Sequence, residues 1–153
     1  MKLKTFYRIF YRHRVEKASI ILKIYLLIII PLKYFVNFFY LPQKKNLDIF
    51  SKNHAHLFNK DLNFLCEFFN SDKGEKFKNQ YDQPSKNNKE EVVSHGYAKI
   101  YEKYLYKYKE KKLNIMELGS FYGNASAAFF FFFKNSKIYS ADINPDMYIY
   151  KSK

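Results

Sequence analysis

The feature that most constrains the fold of this chain lies near its C-terminal end. Residues 113–119, LNIMELG, form a short apolar run that closes on an acid and a glycine, and a tight turn through Gly123 follows. The residues from Asn124 to Lys134 are typical of a helix, and residues 137–142 of a second strand that Pro145 stops. The pattern predicts two parallel strands joined by one helix, which is the repeating unit of an α/β sheet.

An acid ends each of the two predicted strands, Glu117 the first and Asp142 the second. In an open α/β sheet the crevice that binds ligands lies at the carboxyl ends of the strands. Gly119 and Gly123 lack a Cβ and allow the backbone to come close to a ligand. A carboxylate at the position of Asp142 has little structural purpose there and could accept two hydrogen bonds from a ribose diol. These residues predict a site for a nucleoside cofactor.

Five sequence blocks resemble one enzyme family. Glu-x-Gly-x-x-x-Gly after the first strand and Asp after the second resemble motifs I and II of the class I S-adenosylmethionine-dependent methyltransferases, with Phe121 where a middle glycine is usual. Upstream, SDKG at 71–74, HGY at 95–97 and YEKYL at 101–105 resemble the lead-in of the macrocin and macrolide-sugar O-methyltransferases. The resemblance covers residues 60 to 150, with a polar insert at 76–91. The glycines do not fit the dinucleotide pattern G-x-G-x-x-G.

The resemblance implies an α/β fold: an incomplete Rossmann-like methyltransferase fold, limited to the first βαβ unit and preceded by a helical N-terminal region. The implied cofactor is S-adenosyl-L-methionine, and the implied reaction transfers a methyl group to a hydroxyl of a sugar or another small-molecule substrate. The cofactor-binding residues would be Glu117, Gly119, Ser120, Gly123 and Asp142. A helical cover would bring Asp72, His95 and Tyr97 near cofactor or substrate, and no residue is assigned as catalytic base.

Three zones are expected along the chain. Residues 1–45 would be a basic, apolar helical arm or membrane-associating segment, residues 46–112 the helical lead-in that covers the cofactor pocket, and residues 113–153 the start of the cofactor-binding domain. Because a class I methyltransferase sheet has seven strands, we expect the N-terminal portion of a longer enzyme, truncated or split. As an isolated chain it would be inactive and would need a complementing C-terminal chain or a homo-oligomer.

The most apolar segment runs from residue 18 to 41 and is interrupted by Lys23, Pro31 and Lys33. We predict that it is helical with a break or bend near Pro31. Three interpretations stay open: a hairpin packed on its own domain or a sister subunit, an interfacial membrane anchor, and a true span. Residues 43–60 are polar enough to be a linker.

Composition narrows the kinds of binding site and partner that this chain could have. Cys66 is the only cysteine, which excludes an intrachain disulfide and a zinc site built from thiolates and favours a cytoplasmic setting, with attachment to a membrane left open. The pair His54-x-His56 has no third ligand nearby, so no metal is predicted. The formal net charge of +13 suits an anionic partner, but the bias toward Lys, Asn, Ile, Phe and Tyr explains much of it, so nucleic acid is not expected. The alternative function is a basic, aromatic RNA-binding or membrane-associated interaction module without catalysis.

Overall fold

The computed structural model describes residues 1–80 and 91–152. The described residues divide into two compact units, the first made of residues 1–42 with 79–80 and the second of residues 43–78 and 91–152. The polar insert expected at 76–91 falls mostly on residues 81–90, outside the described residues. At its two margins Lys78 and Glu91 form an isolated antiparallel bridge.

The first unit is helical. Its helices are α1 (Leu3–Phe10), α2 (Arg12–Glu16) and α3 (Ile20–Phe38). Ser19 caps α3, since its side chain accepts a hydrogen bond from the backbone N–H of Leu22. The helix predicted within residues 18–41 is confirmed over Ile20–Phe38, and α3 continues through Pro31 without a break. By length and composition alone, α3 could cross a membrane.

The second unit mixes helices with short strands. In chain order it contains β1 (Lys45–Asn46), α4 (Leu47–Asn53), a 3-10 helix (Ala55–Asn59), α5 (Leu62–Phe68), α6 (Ala98–Leu105), a 3-10 turn (Tyr106–Tyr108), β2 (Asn114–Leu118), α7 (Asn124–Phe132), β3 (Lys137–Ala141), a 3-10 turn (Pro145–Met147) and β4 (Tyr150–Lys151). Strands β2 and β3 pair in parallel, with Asn114 opposite Lys137 and Leu118 opposite Ala141. Strands β1 and β4 form a second parallel pair. The predicted strand–helix–strand unit is confirmed, and the architecture is compatible with an α/β class.

The core of the second unit is built around α7. Phe131 and Phe132 are fully buried there, and Leu65 and Cys66 of α5 belong to the same cluster. Ile115 of β2 and Ile138 of β3 pack on the same cluster. Met116 and Leu118 project from the other face of β2 and are exposed. Helices therefore cover one face of the β2–β3 pair within the part of the chain that the structure describes.

The expectation that residues 43–60 form a linker is wrong. Asn46 caps α4 by accepting hydrogen bonds from the backbone N–H groups of Asp48 and Ile49. Leu47 and Leu57 are buried in the core of the second unit. A few widely spaced apolar side chains were enough to dock this polar segment, because neighbouring elements supply the surface that buries them.

Candidate functional site

The centre of the candidate site is an ion pair between two distant parts of the chain. Glu117, at the end of β2, is almost fully buried, and its Oε1 lies 3.0 Å from Nζ of Lys73. Lys73 belongs to the SDKG block, and the backbone N–H of Ala98 at the start of α6 donates to its carbonyl at 2.7 Å. The turn at 71–74 is thus tied to α6 and holds a cation over the end of the strand.

Two serines hold the other side of the Glu117 carboxylate. Ser126 on α7 donates a hydrogen bond to Oε2 of Glu117. Ser140 of β3 lies opposite Glu117 in the strand register, and its hydroxyl donates to the Ser126 hydroxyl at 2.6 Å. Both carboxylate oxygens therefore have partners, as a buried charge requires.

The pKa of Lys73 reflects two opposing influences. Burial acts to lower the pKa of Lys73, but the negative charge and hydrogen bond of Glu117, with a smaller contribution from Asp72, outweigh burial and raise it above its ordinary value. Lys73 consequently stays protonated at neutral pH. It serves as a fixed positive charge here and cannot act as a general base.

A cleft of about 420 Å³ opens beside this ion pair. Its polar lining comes from Asp72, Lys73, His95, Tyr97 and Glu117, and the rest is aromatic or aliphatic. Nε2 of His95 is 3.7 Å from Oδ2 of Asp72, and the imidazole stacks on the Tyr97 ring with centroids 5.2 Å apart. The three residues expected from the lead-in, and one of the residues expected from the strand ends, thus line a single cleft.

The turn after β2 has the left-handed backbone conformations that the glycine pattern suggests. Gly119 and Gly123 have φ values of 77° and 79°, in the left-handed region that favours glycine. Phe121 has φ 48°, in the same region, at the position where the family pattern has its middle glycine. A Cβ added at Gly119 would meet nothing within 4 Å, so this side of the turn is open.

The backbone amides of the turn are used within the protein. The N–H groups of Gly119 and Ser120 donate to the carbonyl of Ala141, and the N–H of Phe121 donates to Oδ2 of Asp142 at 2.9 Å. The Ser120 hydroxyl donates to the backbone carbonyl of Glu117. These groups join the turn to the end of β3, so a ligand at this edge would be held mainly by side chains.

Asp142 has a structural task that the sequence did not reveal. Besides the Phe121 amide, it accepts a hydrogen bond from the N–H of Asn144 through Oδ1 at 2.8 Å. The carboxylate therefore fixes the two loops that follow β2 and β3. Each oxygen has a second lone pair, so acceptor capacity for a diol is left.

Gly123 is separated from the cleft. The atoms that a Cβ at Gly123 would approach are Cδ1 of Tyr148 and the carbonyl oxygen of Tyr150, both at 3.7 Å. The N–H of Ile149 donates to the carbonyl of Tyr122, which holds this C-terminal segment against the turn. The close backbone approach expected at Gly123 is thus made by the chain itself.

Sequence reasoning missed Lys73, Ser126 and Ser140 as members of the site. Lys73 stood inside a recognised block but was not given a role. A signal was available for Ser126, since a small polar residue buried on an apolar helix needs a hydrogen-bond partner. Ser140 is exposed and gave no such signal.

The large side chains of α6 and of the 3-10 turn that follows it divide between core and solvent. Tyr101, Leu105 and Tyr108 pack on the core. Tyr104 and Tyr106 are exposed, with the ammonium groups of Lys103 and Lys109 over their rings. Among the described residues no group of three or more His, Cys, Asp or Glu is placed to hold a metal ion.

Comparisons with protein-family models, curated proteins and solved structures find no significant match to this chain.

Proposed function

We propose that the second unit binds S-adenosyl-L-methionine as the first part of a class I methyltransferase domain with a Rossmann-like sheet. The methyl acceptor would be a hydroxyl of a sugar or another small molecule. The observation that supports the proposal is the convergence of four separate sequence blocks on one edge of the β2–β3 pair. The SDKG turn, His95 with Tyr97, and Glu117 line the cleft, and Asp142 lies at the end of the adjacent strand.

The charges of the cleft suit such a ligand. Two carboxylates, Asp72 and Glu117, face one permanent cation, Lys73, which leaves an excess of negative charge when His95 is neutral. The ligand carries a positive sulfonium and a positive amino group. A cleft of about 420 Å³ is within the range of small-molecule sites.

Each side chain has a role in this proposal. Glu117 and Asp72 attract the amino end, while Asp142 offers its remaining lone pairs to the ribose diol. The open side of Gly119 gives the ligand access to the turn, and His95 with Tyr97 forms an aromatic cover. When bound, the cofactor supplies an activated methyl group, and the protein aligns the acceptor hydroxyl with it.

Calorimetric titration of the full chain with S-adenosylhomocysteine tests the proposal. We expect binding by the wild-type chain and a loss of affinity of roughly tenfold to a hundredfold in Asp72→Asn and in Asp142→Asn, because hydrogen bonds to charged groups are lost or weakened. Glu110→Gln is the matched control, since this exposed carboxylate lies outside the cleft and pairs with Lys134. No binding by the folded wild-type chain, or equal affinities in all variants, would contradict the proposal.

A further inference from the structure

Helix α3 is covered along one narrow face only. Leu26, Ile30 and Asn37 are its buried residues, and Lys23 and Lys33 fall on the same face by helical spacing. Residues 2–17, called the α1–α2 segment below, cover that face. Their Phe6 and Tyr11 pack with Leu26 and Ile30. The other faces of this 19-residue helix are exposed.

The uncovered side of α3 is apolar along its whole length. Ile28 and Phe35 are 64% and 63% exposed, and they belong to a continuous surface of large apolar side chains. Its members are Ile20, Ile21, Ile24, Tyr25, Leu27, Ile28, Leu32, Phe35, Val36, Phe38 and Phe39. All residues of α3 are described, and none on this surface is charged. Water is a poor solvent for an apolar patch of this extent.

The cations of the first unit lie on the opposite side. Six of them, Lys2, Lys4, Arg8, Arg12, Arg14 and Lys17, belong to the α1–α2 segment. The two cations of α3 also face away from the apolar surface, and Nζ of Lys33 lies 5.9 Å from the centre of the Tyr11 ring. Glu16 is the single acid among residues 1–42, and it pairs with Arg12. The unit therefore has an uncharged apolar side and a strongly basic side.

The packing of the α1–α2 segment on α3 distinguishes a transmembrane orientation of α3 from an orientation in the plane of the membrane surface. The α1–α2 segment lies alongside α3 between Leu26 and Tyr34. Phe6 and Tyr11 pack with Leu26 and Ile30, and Tyr34 donates its hydroxyl to the carbonyl of Met1. If α3 crossed a bilayer, Arg8, Arg12 and Arg14 would be carried into the hydrocarbon interior, at high cost. If α3 lies in the plane of the surface, the same arginines stay at the headgroups.

We propose that the first unit is an in-plane membrane anchor that binds an anionic lipid surface. The apolar side of α3 enters the boundary between headgroups and acyl chains, and the basic side, which includes the α1–α2 segment, remains among anionic headgroups. The complementarity of charge and the separation of the two sides identify the partner. This inference does not depend on the cofactor proposed for the second unit.

Flotation of the full chain with lipid vesicles tests the anchor. We expect the wild-type chain to float with vesicles of phosphatidylcholine and phosphatidylserine, and less with phosphatidylcholine alone. The double variant Ile28→Glu/Phe35→Glu should lose binding to both while keeping its helical content, because these side chains are exposed. Ile100→Glu/Tyr104→Glu on α6 is the matched control, since it alters two comparably exposed side chains of the second unit and should float like the wild type.

Charge variants test the role of the basic side. Lys4→Gln and Arg14→Gln should each weaken binding to the anionic vesicles about fivefold and leave binding to neutral vesicles unchanged. Binding of the wild-type chain should also fall as the salt concentration rises.

Three results would overturn the proposal. The first is a wild-type chain that does not float, or a glutamate double variant that floats equally well. The second is a stable dimer without vesicles that dissociates in the double variant, because it would assign the apolar surface to a second copy. The third is resistance of the bound chain to alkaline carbonate extraction, which would indicate a span.

Discussion

Helices α3 and α7 are both apolar on nearly every side, yet they have opposite surroundings. Eight of the nine residues of α7 are buried, whereas three of the 19 residues of α3 are. The sheet strands, α5 and the 3-10 helix that follows α4 enclose α7, while the α1–α2 segment covers only one face of α3. Hydrophobicity therefore does not by itself identify a core helix, because burial depends on what the rest of the chain brings to it.

Removing one phenyl ring from each helix should sharpen this contrast most. Phe131→Ala should lower the free energy of unfolding by about 4 kcal/mol, because it leaves a cavity in a fully buried site. Phe35→Ala in α3 should leave unfolding in urea nearly unchanged, because the ring is already exposed. Urea titration followed by circular dichroism measures both variants. Equal losses in the two would contradict the difference in burial.

An ion pair in each unit gives the next largest effect. Lys73→Met should lower the free energy of unfolding by about 3 kcal/mol, because it leaves the buried Glu117 carboxylate without its cation. Arg12→Met removes the cation from the exposed Arg12–Glu16 pair of the first unit and should have no measurable effect.

The same measurements have a pH dependence. The raised pKa of Lys73 means that its stabilisation is complete below the unfolded-state pKa of 10.5 and is lost as pH rises through the higher folded-state value. Wild-type stability should therefore fall more steeply at alkaline pH than that of Lys73→Met, and parallel pH curves would argue against the pair.

The rates of thiol labelling compare the burial of the two units directly, although they do not measure a change in stability. Burial raises the pKa of Cys66 to about 12, so this thiol should react very slowly with a disulfide reagent near neutral pH until the protein unfolds. A cysteine introduced by Leu32→Cys on the exposed side of α3 should react at once in the absence of lipid and become protected on anionic vesicles. Rapid labelling of Cys66 in the folded chain would show that the core of the second unit opens readily.

The sequence by itself determined the local elements. Apolar runs, the positive-φ positions at Gly119 and Gly123, and the stop at Pro145 were enough to predict β2, α7 and β3 and their parallel pairing. Leu62, Leu65, Cys66 and Phe69 share one helical face by their spacing, and all four are buried in the core. These features depend on residues close together in the chain, so they can be recognised from a short window.

Only the tertiary structure decided the partners of these elements. It joined Lys73 to Glu117 across 44 positions of sequence, gave Asp142 two backbone donors, and docked residues 43–60 in a core. It also buried α7 and left α3 exposed, although the two helices are similarly apolar. The physical reason is that burial and charge pairing depend on surfaces that distant segments bring together, and the spacing of residues along one segment does not specify those surfaces.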